Sequence, residues 1–192
     1  FQKYKNLFKK SSPGRFLLAR MMYTDGLNTL FAFGGLYAAG TFGMKIEEVI
    51  IFGISLNVTA GIGALVFGFI DDKVGPKNVI LVSLSFLMIF GTLILVITSI
   101  FWFWVFGLML GLFIGPVQSS SRTLMAHISD PKEIASSFGL FALSGKVTAF
   151  LGPVVLALVS DFFHSQQAGM FSIVVFMFIG FIILVFTKNL NA

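Results

Sequence analysis

The run VILVSLSFLMIFGTLILVITSI, from Val79 to Ile100, holds no ionisable side chain, and this limits the fold more than any other feature. A hydrocarbon core about 30 Å thick is crossed by roughly 20 apolar residues of helix. Runs of that kind recur along the chain, which is 57% hydrophobic and 11% charged. Soluble domains carry about 25% charged residues. The chain is therefore an integral membrane protein.

Charge, glycine and proline punctuate it into six apolar segments, at about 16–43, 47–70, 78–99, 101–126, 134–160 and 168–187. The predicted fold class is all-α, a polytopic bundle of six transmembrane helices. A basic linker over 1–15 precedes the bundle, and a short tail over 188–192 follows it. The connection SDPKE reads as a helix start, with Asp130 as N-cap, Pro131 in the first turn and Glu133 at the third position. There is no cysteine, which excludes disulfides, thiol catalysis and thiolate metal sites. His127 and His164 lie near helix ends, outside any H-E-x-x-H pattern. The chain opens with Phe1, without a signal-peptide layout, so a piece of something longer is expected.

Six crossings put both termini on one side. Lys3, Lys5, Lys9, Lys10, Arg15, Lys73, Lys77, Lys132 and Lys188 all fall there, with Arg20 and Arg122 just inside the adjoining helices. The opposite side has only Lys45. The positive-inside bias places that first side, and both termini, in the cytoplasm. The net charge of +5 is thus topological rather than a footprint for nucleic acid. Phe-, Ile- and Lys-rich usage and short loops point to a bacterial inner membrane.

The third and sixth segments carry no ionisable residue, as expected for helices facing lipid. The others carry Asp25, Asn28, Asn57, Gln118 and Lys146. The order polar, polar, oily, repeated, describes two inverted three-helix units, as in six-helix halves of transporters. Between the second and third segments stands GFIDDKVGPKN. Gly68 allows close backbone approach, and Gly75 permits a tight reversal. Asp72 can accept from the free N–H groups of another helix's N-terminus, while Lys73 and Lys77 face the anionic leaflet.

This loop resembles the signature of the major facilitator superfamily. RFLLARMMYTDGLNTLFAFGGLYAAGTFGM (Arg15 to Met44) and GPVQSSSRTLMAHISDPKEIASSFGLFALSGKVTAFLGP (Gly115 to Pro153) resemble the C-terminal half of its vacuole-effluxer-like branch, which includes autophagy-related amino-acid exporters. The resemblance implies that the six segments are the second half of a twelve-helix fold. It also implies that Asp72 caps a helix of the other half as a conformational latch.

Lys146 sits mid-segment, where a charge costs about 2.5–3.5 kcal/mol on insertion scales. Asp25 is its expected partner, with Asn28 and Thr29 at helical spacing beside it. Either Lys146 binds an anionic group of the substrate, or is released from Asp25 on protonation, or the two form a permanent ion pair that fixes packing. Gly107, Gly111 and Gly115 form a bare face that reads as close packing. Pro116 bends that helix, and Gln118 is the cavity candidate. Asn57, Gly61, Ala64 and Gly68 form a small-residue stripe for sliding against another half. Arg20 and Arg122 read as headgroup anchors or gate residues.

The resulting expectation is a secondary transporter, not an enzyme, exporting amino acids or similar small metabolites by alternating access. Its partners are the lipid bilayer, an N-terminal six-helix half and a small-molecule substrate. No cofactor is expected, and proton coupling through Asp25, or sodium coupling, drives it. The alternatives are a half-sized transporter working as a homodimer, an intramembrane enzyme and a non-transporting receptor.

Overall fold

The computed structural model describes residues 12–187. The expected basic stretch up to residue 11 and the tail over 188–192 lie outside the described residues. Seven helices follow in order: α1 (Ser12–Phe42), α2 (Ile46–Val74), α3 (Pro76–Val96), α4 (Ile100–Ile128), α5 (Ile134–Val147), α6 (Leu151–Phe162) and α7 (Gln166–Val185). The chain is all-helical among the described residues, and α5 and α6 are two halves of one crossing.

By length and composition, α2, α3, α4, the joined α5–α6 and α7 can each cross a membrane. Helix α1 is long enough at 31 residues, but Arg15, Arg20, Asp25 and Asn28 make it more polar than the rest. The core is closed by Phe16, Tyr23, Leu84, Ile114, Leu124 and Met177, all nearly inaccessible. Across the α3–α4 contact, Phe86 stacks on Phe113 with centroids 4.5 Å apart.

The packing has a two-fold logic. Helix α4, first of the second unit, packs against α2 and α3, while α1, first of the first unit, packs against α5, α6 and α7. Helices α3 and α7, the third of each unit, also meet. The first helix of each unit is thus embraced by the second and third of the other. Helix α4 carries Gly107, Gly111 and Gly115 on the face toward α2. A Cβ at any of them would collide with Phe52, Thr59 or Ala60. The glycines exist for backbone contact.

Exposure does not follow oiliness. The oily windows of α3 and α7 are 33% and 39% buried, those of α2 and α5–α6 only 11% and 22%. The two purely apolar helices were expected to be the outward ones. They face lipid on one side only, because each must also cover α1 or α4.

Two connections depart from the sequence expectation. Helix α5 begins at Ile134 rather than at Pro131. Asp130 caps a turn instead: its side chain accepts from the Lys132 amide at 2.8 Å, and its carbonyl accepts from Glu133 at 2.9 Å. The segment expected to run unbroken over 134–160 is interrupted at Thr148–Phe150. Pro153 has no N–H for the Ala149 carbonyl, and its ring crowds that carbonyl. The chain tightens there, with Leu151 N–H on Thr148 C=O at 2.8 Å and Ala149 N–H on Lys146 C=O at 3.2 Å.

The α2–α3 junction turns on one residue. Gly75 has φ +86°, donates to Asp71 C=O at 2.9 Å and accepts from the first turn of α3. A side chain there would be strained.

Candidate substrate cavity

The broken crossing bears on both intramembrane charges, Asp25, which is buried, and Lys146, which is exposed at the cavity. Lys146 lies in the last turn of α5, where unsatisfied carbonyls favour a cation. Asp25 lies opposite the first turn of α6. Its Oδ2 accepts from Gly152 N–H at 2.7 Å, so the carboxylate of α1 caps the positive end of a half-helix in another segment. Asp25 is 1% exposed, and its Oδ1 has no hydrogen-bond partner. The anticipated Asp25–Lys146 pair is not formed among the described residues: the Asp25 carboxylate caps the start of α6, while Lys146 stands in the last turn of α5, because breaking the helix created two termini of opposite sign.

The seam between α1 and α5–α6 is polar along its length. Arg20 Nη1 donates to Phe141 C=O and to Ser144 Oγ, each at 2.6 Å, with its guanidinium 3.6 Å above the Phe141 ring. Thr148 Oγ1 donates to Met21 C=O at 3.3 Å, and Asn28 Nδ2 to Gly145 C=O at 3.4 Å. Thr29 is buried, bonded to Asp25 C=O at 2.8 Å and pressed on Gly152.

Beside this seam α1, α4 and α5 line an open cavity of about 370 Å³, within the ~300–1,000 Å³ range of small-molecule sites. Helix α1 lines it with Arg20, Tyr23, Thr24, Leu27 and Asn28. Helix α4 contributes Val117, Gln118, Ser121 and Arg122, and α5 contributes Ala142, Gly145 and Lys146. Within each helix these residues fall three or four apart, so each presents one face. Tyr23 and Ser121 share a hydroxyl–hydroxyl bond at 2.7 Å, which ties α1 to α4 at the cavity wall.

The structure thus gathers Arg20, Asn28, Gln118, Arg122 and Lys146 at one site. It sets Asp25 and Thr29 on the neighbouring face of α1, against α6. Asn57 lies apart, donating to Gly53 C=O at 2.8 Å and bordering a second, largely apolar cavity of about 190 Å³. Arg20 and Arg122 line the cavity rather than reaching only for headgroups. Tyr23, Thr24, Ser121 and Ser144 were not singled out in the sequence. The spacing of Thr24 from Arg20 and Asn28, four residues either way, was the available signal.

The loop motif divides its roles. Asp72 and Lys73 are exposed, and Gly68 has open space over it. Lys77 does not face outward: its Nζ donates to Thr187 C=O at 2.7 Å, at the end of α7. Asp71, passed over in the sequence, is the buried acid of the pair, turned toward Ser120 and Thr123 of α4.

The family model for Atg22-like vacuole effluxers matches residues 1–191. The chain is 23% identical over 174 residues to an uncharacterized MFS-type transporter, YxiO, of Bacillus subtilis, covering 91% of this chain and 40% of that protein. It is 25% identical over 178 residues to autophagy-related protein 22 of Cryptococcus neoformans, covering 84% of this chain and 33% of the relative. The chain therefore spans about a third to two fifths of the relatives' length. Among solved structures, a peptide transporter POT (E310Q mutant) in complex with sulfate superposes with a TM-score of 0.80 at 16% identity, over 93% of this chain and 38% of that one. A structure titled for substrate recognition in proton-dependent oligopeptide transporters gives 0.81 at 17%, over 93% and 42%. At such identity the likeness carries the fold, which is six helices' worth of a major facilitator transporter. The chain belongs to the Atg22-like vacuole effluxer family of MFS-type membrane transporters.

Proposed function

We propose that this chain is the six-helix C-terminal half of a secondary transporter that exports amino acids or similar small metabolites by alternating access. The observation that carries the reading is the polar cavity: apolar membrane helices converge on a space lined by hydroxyls, amides and three cations. Lipid-facing packing alone does not assemble such a lining, since intramembrane ionisable groups are costly and mark pathways.

The basic residues of the connections place both termini in the cytoplasm. In that orientation Arg122 lies about 9 Å, Arg20 about 12 Å and Lys146 about 18 Å along their helices from the cytoplasmic ends, at 1.5 Å per residue. The cavity then occupies the cytoplasmic half of the bundle, where an exporter loads. The N-terminal half covers the exposed faces of α2 and α5–α6, with the stripe Asn57, Gly61 and Gly68 as its contact. Gly61 and Gly68 have nothing within 4 Å of a built Cβ. Asp72 and Lys73, exposed at the end of α2, meet that half as a latch. Asp25 is the proton-coupling group: one oxygen is held by Gly152 N–H and the other is free to carry a proton.

The test is counterflow of a pooled, labelled amino-acid mixture into proteoliposomes with the full-length protein and its Lys146→Met variant. Flux in the parent and loss in the variant is the expected result. Flux in both reduces Lys146 to a structural role.

A further inference from the structure

We infer that the cavity recognises a compact dianionic metabolite, a dicarboxylate or a phosphomonoester, in preference to a zwitterion. This rests on the cavity being the transport site. Arg20, Arg122 and Lys146 come from three helices to line one space, and no aspartate or glutamate lines it with them. Asp25, the nearby buried acid, is committed to the α6 end through Gly152. Arg20 bonds only neutral acceptors, a carbonyl and a serine hydroxyl. Arg122 and Lys146 have no hydrogen-bond or carboxylate partner among the described residues. Thus three positive charges face one cavity with nothing from this half to neutralise them.

The arrangement has two poles. Arg20 and Arg122 line the same cavity, so their like charges repel unless an anion lies between them. Each offers a planar fork that matches carboxylate or phosphate oxygens. Lys146 lies deeper, a point charge about 18 Å along α5. A dicarboxylate offers one group to each pole, and a phosphomonoester brings two charges to the guanidiniums. A zwitterion brings its own ammonium into a field of three cations. Asn28 and Gln118 donate or accept along the length between the poles.

The same oxygen chemistry is found on a lipid headgroup, so the experiment separates the sources. The full-length transporter is reconstituted in phosphatidylcholine liposomes, and in liposomes with phosphatidylglycerol mixed in. Counterflow and thermal stabilisation are read for succinate, glycerol 3-phosphate, lactate and leucine. The expected result is half-saturation by succinate or glycerol 3-phosphate at least about tenfold below that of leucine and lactate. Lys146→Met and Arg122→Gln each raise it about tenfold, and Lys146→Arg restores it in part. Neither cation has a structural partner here, so folded yield holds, which size-exclusion profiles check. Leucine flux without dianion flux overturns the inference and leaves the transporter reading intact. Dianion stabilisation without flux of any probe overturns the transport reading and, with it, the inference that rests on it. Stabilisation that phosphatidylglycerol abolishes assigns the site to headgroups and overturns the inference. Neither flux nor stabilisation with any probe overturns both.

Discussion

Asp25 and Lys146 hold opposite charges in the membrane without needing each other. Asp25 caps the helix start created by Pro153, and Lys146 stands in the last turn before the break. Asp25→Ala leaves Gly152 N–H buried without an acceptor, an expected loss of about 1–3 kcal/mol, seen as a lower thermal midpoint of the full-length protein. Asp25→Asn keeps an acceptor in place, so its midpoint stays near that of the parent. If Asp25 carries the coupled proton, that same variant loses flux driven by a pH gradient while counterflow persists. Gradient-driven flux in Asp25→Asn would move the coupling elsewhere. Lys77→Ala removes the donor to Thr187 C=O and is expected to cost about 0.5–1.5 kcal/mol, with faster hydrogen exchange at the end of α7. Both charges were legible in the sequence as anomalies in apolar runs. Their partners were not, because a helix end is a backbone feature and exists only once the chain breaks.

Helix α5–α6 is the element whose behaviour depends most on one residue. Its apolarity is continuous across 134–160, which is why a single helix was expected. Only the missing N–H and the ring of Pro153 divide it. Pro153→Ala is predicted to extend α5 through Thr148–Phe150, draw Gly152 away from Asp25 and slow counterflow severalfold without loss of folded yield. Slowed exchange at the amides of 149–153 would show the change, and unaltered exchange there would refute it. The α2–α4 seam is the rigid counterpart. Gly115→Val thrusts side-chain carbons into the Ala60 backbone and is expected to cost about 1–3 kcal/mol or more, seen as reduced folded yield. The glycine repeat announced close packing of α4 in the sequence, since bare backbone at four-residue spacing has few uses other than close contact, but not that α2 is the partner.

At the scale of the whole molecule, the least buried helices are the second of each unit, not the oiliest ones. Burial inside a half-bundle reflects which helices stand at its centre, and α1 and α4 stand there. A Cβ at Gly61 meets nothing within 4 Å among the described residues, so Gly61→Leu points its side chain away from this half. If α2 lies against an N-terminal half, this variant lowers flux and folded yield of the full-length transporter at least severalfold. Normal yield and flux would instead place that face in lipid.

Apolar run length, the distribution of lysine and arginine, and glycine spacing determined a great deal without coordinates: a membrane protein, six crossings, two related units and a close-packed face on α4. These are one-dimensional properties, because hydrophobic thickness and helical periodicity act along a single segment. The cavity was decided only in three dimensions. Arg20 lies about a hundred residues from Arg122 and Lys146 in the chain, and their convergence depends on how α1 packs against α4, α5, α6 and α7. The reassignment of Asp25 from ion pair to helix cap was decided there too. A half-helix N-terminus placed within hydrogen-bond reach of a carboxylate is a product of packing, and no spacing rule along one strand of sequence encodes it.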